Sequence, residues 1–222
     1  SSLSSLRISV IINVHNGEDF LKRAIDSALS QTYKPSEIII WDNCSTDMTN
    51  EIARSYKELK YFRNDNKTNL GEARELARRV AIGDWIAYLD CDDYWYPEKL
   101  EKQIPYISPE IGIIYGGLHE KDINGKLLRK KLPLYKTGKM LEKQLTCYDI
   151  DMCTPLINNN LLNKYSLGFS REMKASEEQD LFLRVCCLAP IVSIQLILGV
   201  STIRNNSLTD LSKKYWSIER NK

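Results

Sequence analysis

The stretch Trp85-Ile86-Ala87-Tyr88-Leu89-Asp90-Cys91-Asp92-Asp93 decides the fold: an apolar run that reads as a buried strand leads directly into three aspartates within four positions. Carboxylates crowded in this way repel one another unless a positive charge sits among them, and oxygen ligands at a strand end suit Mg²⁺ or Mn²⁺. Gly83-Asp84 before the run reads as a turn. Tyr94 to Leu100 after it reads as the opening of a helix, with Pro97 in its first turn. The acidic cluster is therefore expected at the carboxyl end of a strand, where open α/β sheets place their ligands. A solvated turn with a helix cap is the plain alternative for such acids. An EF-hand does not fit, because Tyr94 and Trp95 stand where that loop needs an oxygen ligand and a glycine.

The flanking sequence repeats the same alternation. Arg7 to Val14 is a β-branched apolar run, and Gly17 to Gln31 carries Phe20, Leu21, Ala24, Ile25, Ala28 and Leu29 at helical spacing. Glu37 to Trp41 is a second buried strand. A β-α-β order implies parallel strands. Asp42 to Asp47 then forms a polar loop before a helix to about Tyr56. A short strand is expected near Tyr61-Phe62 and a helix from about Leu70 to Ala81. The loops after these strands, at Asn13 to Asn16, Asp42 to Asp47, Asn64 to Asn69 and Asp90 to Asp93, should share one rim. Beyond, Ile111 to Tyr115, Cys153 to Ile157 and Ile191 to Val200 read as strands, and Asn124-Gly125 as a hairpin turn. Gly138 to Leu145 and Glu177 to Leu188 read as helices, the latter burying Leu181, Phe182, Val185 and Leu188.

The 222 residues fit one domain, 1–222, with an ample core at 43% hydrophobic residues. Thirty-one Lys and Arg against twenty-nine Asp and Glu leave a net charge of +2, so no global field points to nucleic acid. Cys44, Cys91, Cys147, Cys153, Cys186 and Cys187 show no Cys-x-x-Cys spacing and read as reduced thiols. Two histidines, His15 and His119, offer little for a zinc site or a His-based triad. No apolar run approaches membrane-spanning length, and Ser1 to Leu6 lacks the apolar core of a signal peptide. The expectation is a cytoplasmic chain.

Ser9-Val10-Ile11-Ile12, Asn16-Gly17, Ser30-Gln31-Thr32-Tyr33, Glu37-Ile38-Ile39-Ile40, Asp42 with Ser45-Thr46-Asp47, Asn69, Gly71, Ala73-Arg74 and the run Gly83 to Gln103 follow one another in a telling order. That ordered set resembles the family-2 glycosyltransferases of the GT-A fold, densely over about the first hundred residues and sparsely after. The resemblance implies an α/β, Rossmann-like single domain with a central mixed, mostly parallel sheet flanked by helices. About 1–117 would bind the nucleotide-sugar and about 118–222 the acceptor. It further implies an inverting, metal-dependent transferase that moves a sugar from a nucleoside diphosphate, a UDP-sugar first, to a glycan or lipid-linked acceptor. Bacterial surface polysaccharide synthesis and peripheral association at the inner face of the cytoplasmic membrane follow by analogy.

Residue by residue, the resemblance puts Asp90 by the ribose, with Cys91 beside it, and Asp92, with Asp90, on Mn²⁺ or Mg²⁺. Asp42 and Asn43 fall where the family reads the nucleobase, Asn43 replacing a usual Asp. Asn13 and His15 replace the commoner Pro and Tyr where the base would pack, next to Asn16. Ser45, Thr46 and Asp47 are expected as helix caps. Ser176-Glu177-Glu178-Gln179-Asp180-Leu181-Phe182-Leu183-Arg184 is similar to the family's acidic helix start, which makes Glu178 the catalytic base and Glu177 its substitute. Thr202 to Thr209 resembles a segment in which Arg204 takes a histidine's place and could grip phosphate. Arg74 is either a cation facing the rim or one of a solvated Arg74, Arg78, Arg79 face. Tyr94 and Tyr96 could stack on sugar, whereas Trp95 is expected in the core. The basic stretch Lys126 to Lys131 is either a contact for anionic acceptor or lipid phosphate, or a wet edge strand. Two rival classes stay open: a nucleotide-sugar binding module without turnover, and a nucleotidyltransferase, although Asn13 to Asp19 lacks that class's basic glycine-rich loop.

Overall fold

The computed structural model describes residues 5–204. In chain order these form β1 (Ile8–Val14), α1 (Leu21–Leu29), β2 (Glu37–Asp42), α2 (Thr49–Arg54), β3 (Lys60–Arg63), α3 (Leu70–Val80), β4 (Trp85–Asp90), β5 (Tyr94–Trp95) and α4 (Lys99–Gln103). They continue with β6 (Ile113–Asp122), β7 (Leu127–Lys131), α5 (Leu141–Thr146), β8 (Leu156–Asn158), α6 (Asn159–Lys164), α7 (Glu177–Leu188) and β9 (Ile191–Ile203). One mixed sheet runs β3-β2-β1-β4-β8-β6-β9-β5, with β7 paired to β6. The β3, β2, β1 and β4 strands are mutually parallel, as the β-α-β order requires. The short β8 is antiparallel to both β4 and β6, and β9 returns parallel to β6 over most of its length.

Strand alternation divides the core in two. On one face Ile8, Val10, Ile12 and Val14 pack with Leu21, Ala24, Ile25 and Ala28 of α1, and with Trp95 and Leu100. On the other, Ile11, Ile39, Trp41, Ile86 and Tyr88 meet Ala73 and Ala77 of α3 and Leu181, Phe182 and Val185 of α7. Each fully buried apolar side chain of this size contributes about 1.5–3 kcal/mol, which is why α7 closes over the sheet.

Several sequence expectations shift. Tyr94-Trp95 does not open a helix: it pairs with Val200 and Gly199 of β9, and Pro97 lies in the turn ahead of α4. The β6 strand runs on to Asp122, because ten residues of β9 offer a parallel partner. The β8 strand starts at Leu156, later than Cys153. Gly138 exchanges backbone hydrogen bonds with Ile191 and stays outside α5. Leu188 is exposed and Cys186 is the buried residue in the last turn of α7. The six thiols are free. No helix among the described residues is long and apolar enough to cross a membrane.

Trp95 takes its expected core position, with Nε1 donating to the Cys153 carbonyl at 2.9 Å. Beneath it lies Lys99, whose Nζ is 4.3 Å from the ring centroid and donates to Gln103 Oε1 at 2.7 Å. Full burial pulls the Lys99 ammonium down to about 7 from 10.5. Between those two values the unfolded chain holds a proton that the folded chain has released, so stability rises with pH across that window and the penalty is complete below it. Lys99→Met should therefore gain on the wild type as pH falls from about 10 to about 7, read as the difference in Tm between the two proteins across a pH series.

Candidate functional site

Four loops meet at the carboxyl rim of the parallel strands. Asn13 pairs in register with Trp41 of β2 on one side and with Asp90 of β4 on the other, so their side chains share the face covered by α3. The loop after β1 is tied to the loop after β2: Asn16 N–H donates to Ser45 Oγ at 2.9 Å, and its Oδ1 accepts from Thr46 N at 2.8 Å. His15 Nδ1 lies 2.7 Å from the Asn43 carbonyl. Ser45 and Thr46 thus join loops instead of capping a helix. Asp47 keeps its helix-start role by accepting from Thr49 N at 2.9 Å. Asn16 and Cys44 both hold a left-handed backbone, φ 49° and 61°, which Asn tolerates and Cys adopts at a cost.

Asp42 and Asn43, which the resemblance assigns to the nucleobase, are engaged internally. Asp42 is fully buried and accepts from Ser45 N at 2.9 Å, Tyr61 Oη at 2.5 Å and Arg63 Nη1 at 3.2 Å. Burial and the bond to Asp42 push the Tyr61 phenol up to about 12. Asn43 Oδ1 accepts from Thr68 N at 2.9 Å and Asn64 Nδ2 at 3.1 Å, and Asn43 Nδ2 donates to the Thr68 carbonyl at 2.9 Å. In contrast, Asn13 Nδ2, Trp41 Nε1 and Arg74 Nε are buried with no hydrogen-bond partner among the described residues. Trp41 stacks on Phe62 with centroids 5.8 Å apart. Trp41 did not stand out in sequence, where it read as one more apolar strand residue.

The acidic turn is closed by Asp93 N donating to the Asp90 carbonyl at 3.0 Å. Asp93 is buried and accepts from Thr202 N at 2.9 Å, which pins β9 to the rim. Burial, then the charges of Asp90 and Asp92, raise its carboxyl well above the ordinary range. Burial and Asp90 also raise Asp92, whose Oδ2 lies 3.8 Å from Arg204 Nη1. Cys91 turns the other way, packing against Gly17, and burial with the neighbouring aspartates drives its thiol up to about 12. Arg204 is half-exposed and its guanidinium covers the Phe20 ring at 4.5 Å. The rest of its motif, Asn205 to Thr209, lies outside the described residues. Arg23, which the sequence did not single out, donates from Nη2 to the Asp92 carbonyl and to Thr202 Oγ1, both at 3.1 Å, and lies 4.4 Å over the Tyr94 ring. Its position on α1 signalled only helix surface; the β9 return makes it a clamp.

Arg74 joins the two halves, and the reading of it as a solvated residue is overturned. It is 2% exposed; Nη2 donates to Asp90 Oδ1 at 3.1 Å and Nη1 to Glu177 Oε1 at 3.2 Å, with Glu178 Oε2 at 3.7 Å. Glu177 is buried, whereas the Glu178 side chain keeps 31% of its exposure. Ser176, at φ 60°, sets the chain direction into this acidic first turn. Gly71 permits the approach, since a Cβ there would lie 2.5 Å from the Ser170 carbonyl and 3.0 Å from Glu177 Cγ. Gly71→Ala should destabilise the fold by about 1–3 kcal/mol, seen as a lowered Tm, and loosen the Arg74–Glu177 contact.

The family model described as Glycosyl transferase family 2 matches residues 9–166. An uncharacterized glycosyltransferase of Rickettsia bellii is 33% identical over 201 residues, 86% of this chain and 29% of that protein. The Escherichia coli UDP-Glc:alpha-D-GlcNAc-diphosphoundecaprenol beta-1,3-glucosyltransferase WfaP is 40% identical over 105 residues, 46% of this chain and 42% of its own. The chain spans 29–32% of the length of three Rickettsia relatives and 59% of a fourth, from Rickettsia typhi. Among solved structures, S. aureus TarS 1-349 in complex with UDP superposes with a TM-score of 0.75 at 22% identity, covering 89% of this chain and 61% of that one. The mannosyltransferase PcManGT of Pyrobaculum calidifontis, in complex with GDP-Man and Mn²⁺, gives 0.69 at 14% identity, covering 92% and 59%. These structures share the fold.

Proposed function

The chain belongs to glycosyl transferase family 2, and from that premise we propose that it transfers a sugar from a nucleoside diphosphate to an acceptor hydroxyl with inversion at the anomeric carbon. The observation that carries this reading is the Arg74 bridge, which holds donor-side Asp90 and acceptor-side Glu177 and Glu178 on one guanidinium. The donor lies on the half up to about residue 117 and the acceptor on the half beyond it.

UDP is the expected nucleotide. Asn13 Nδ2, Trp41 Nε1 and Arg74 Nε form a group of unpartnered donors at one strand end, and each such orphan costs about 1–3 kcal/mol until an acceptor meets it. A base with two carbonyls answers that need better than one bearing amino groups. Asp42 and Asn43 shape the wall by holding the β2 and β3 loops, while His15 and Asn16 close its top. WfaP takes UDP-Glc to a diphosphoundecaprenol-linked sugar, and a lipid-linked or glycan acceptor in surface polysaccharide assembly is the reading we favour here.

A divalent cation fits the acidic turn. Burial and the charge of Asp90 raise the cost of ionising Asp92, and a Mg²⁺ or Mn²⁺ shared with substrate needs only one or two protein carboxylates. No group of three His, Cys, Asp or Glu among the described residues is placed to hold a metal ion. Asp92, with Asp90 beside it, would hold the ion, and the ion would neutralise charge on the departing diphosphate. Arg204 and Arg23 add positive charge on the same side of the turn. Glu178 takes the acceptor proton: Glu177 is buried and hydrogen-bonded to Arg74 at 3.2 Å, whereas Glu178 is partly exposed and stands 3.7 Å from the same guanidinium.

Thermal-shift measurements with UDP, GDP and other nucleoside diphosphates, with and without Mn²⁺, test the donor assignment. UDP with metal should stabilise the protein most, and Asp92→Asn should abolish the metal-dependent part while lowering turnover by about 10²-fold or more. Trp41→Phe keeps the stack on Phe62 but removes one N–H, and should weaken UDP by about tenfold or less. Glu178→Gln should cut kcat by about 10²-fold or more and lower Tm less than Glu177→Gln, because its contact with Arg74 is the longer of the two at 3.7 Å against 3.2 Å. Nucleotide binding with no turnover on any acceptor would leave a binding module instead.

A further inference from the structure

Tyr148 is held firmly in place and yet its phenol makes no hydrogen bond. It lies in the loop between α5 and β8, where both flanking residues are anchored. The Cys147 carbonyl accepts from Tyr135 Oη at 2.6 Å. Asp149 accepts from Gln144 Nε2 at 2.6 Å, Leu134 N at 2.7 Å and Tyr115 Oη at 2.9 Å. The Tyr148 ring is half-buried against the apolar cluster that α7 enters through Leu181, Phe182 and Val185. Its Oη, in contrast, is sealed from solvent and has no hydrogen-bond partner among the described residues. A buried tyrosine hydroxyl ordinarily finds a partner, and a phenylalanine would fill the same space without the cost of the orphan.

The group that answers this hydroxyl lies on α7. Glu178 stands one turn ahead of Leu181 and Phe182, on the stripe of the helix that meets the cluster. Burial, then the negative charge of Glu178 ahead of that of Asp151, raises the Tyr148 phenol far above its ordinary value, so it remains a donor. Asp151 already has Lys131 Nζ at 3.4 Å. The Arg74 contact with Glu178, at 3.7 Å, is longer than a hydrogen bond. We propose that Tyr148 is the positioning residue of Glu178: its hydroxyl donates to one carboxylate oxygen and aims the other at the acceptor hydroxyl. A base works only when it is oriented, and such bonds are often unformed in a free enzyme and tighten with substrate. Arg74 draws the carboxylate toward the donor half, and Tyr148, from the acceptor half, holds it against that pull. Tyr148 keeps its own proton, and the acceptor proton passes to Glu178. The inference rests on Glu178 being the base and adds the residue that orients it.

Tyr148→Phe removes the hydroxyl and keeps the ring. Its Tm and UDP shift should match the wild type, because no hydrogen bond of the free protein is lost. The kcat for UDP release from UDP-glucose should fall about tenfold at unchanged KM, the worth of one hydrogen bond to a charged group. In a Glu178→Gln background the same change should cost nothing further, since the hydroxyl acts through that carboxylate. A wild-type kcat, a loss that persists in full in the Glu178→Gln background, or a loss that follows a fall in Tm overturns the proposal. Protein carrying meta-fluorotyrosine gives a readout independent of turnover: the fluorine resonance missing from Tyr148→Phe should move in Glu178→Gln and move less in Asp151→Asn. A resonance that ignores Glu178→Gln, or answers more to Asp151→Asn, overturns the proposal as well. If the wild type releases no UDP, the transferase reading fails and the fluorine measurement alone decides this one.

Discussion

Arg74 is the interaction on which the arrangement depends. A guanidinium buried this deeply is tolerated only because carboxylates from both halves of the chain surround it: Asp90 at the end of β4, and Glu177 and Glu178 at the start of α7. Burial of charge is costly unless it is paired in good geometry, and removing one partner leaves the others exposed to that cost. The Phe169 ring lies 5.5 Å from the Arg74 guanidinium carbon and walls the cluster off. The pairing therefore acts as a joint. It sets how far the acidic turn of α7 stands from the donor rim, and Gly71 sets how closely the two helices can approach for it to form.

A second tie acts on the opposite side of the acidic turn. The long β9 strand runs parallel to β6 and ends with Thr202 against Asp93, and Arg23 of α1 bridges the Asp92 carbonyl to the Thr202 hydroxyl. The turn is thus held from α3 and α7 on one face of the sheet and from α1 and β9 on the other. Burial in this held turn, together with the charge of Asp90, raises the carboxyls of Asp92 and Asp93. Left-handed residues at Asn16, Cys44 and Ser176 lie in the loops that border this rim, where chain direction must change without a glycine.

Much of this could be read from the chain in order. The parallel strands β1, β2, β3 and β4 follow their apolar runs, and α7 spans the residues that helical periodicity marked, Glu177–Leu188. Where reading failed, the cause was a partner distant in sequence. Tyr94-Trp95 has the local composition of a helix opening but gains β pairing from Val200 and Gly199. Leu188 fits the apolar spacing of α7, yet the sheet ends before reaching it and Cys186 fills the space. Ser45 and Thr46 have the composition of a helix cap and instead bond Asn16, which arrives from the preceding strand. Nothing local in the sequence shows that Tyr61 and Arg63 engage Asp42 or that Thr68 engages Asn43.

By itself, then, the sequence determined the α/β alternation, the rim on which the polar loops converge and the family to which the chain belongs, because periodicity and motif order are local properties. Tertiary structure alone decided which charges are paired and which remain open. Arg74 and Arg204 are both arginines near aspartates; one is buried in a three-acid joint and the other is half-exposed over Phe20. Glu177 and Glu178 are adjacent identical residues, and only the packing of the α7 start brings the first, buried, within 3.2 Å of the Arg74 guanidinium and leaves the second, partly exposed, at 3.7 Å. The physical reason is that burial and pairing, which set the behaviour of an ionisable group, depend on neighbours brought from a hundred residues away.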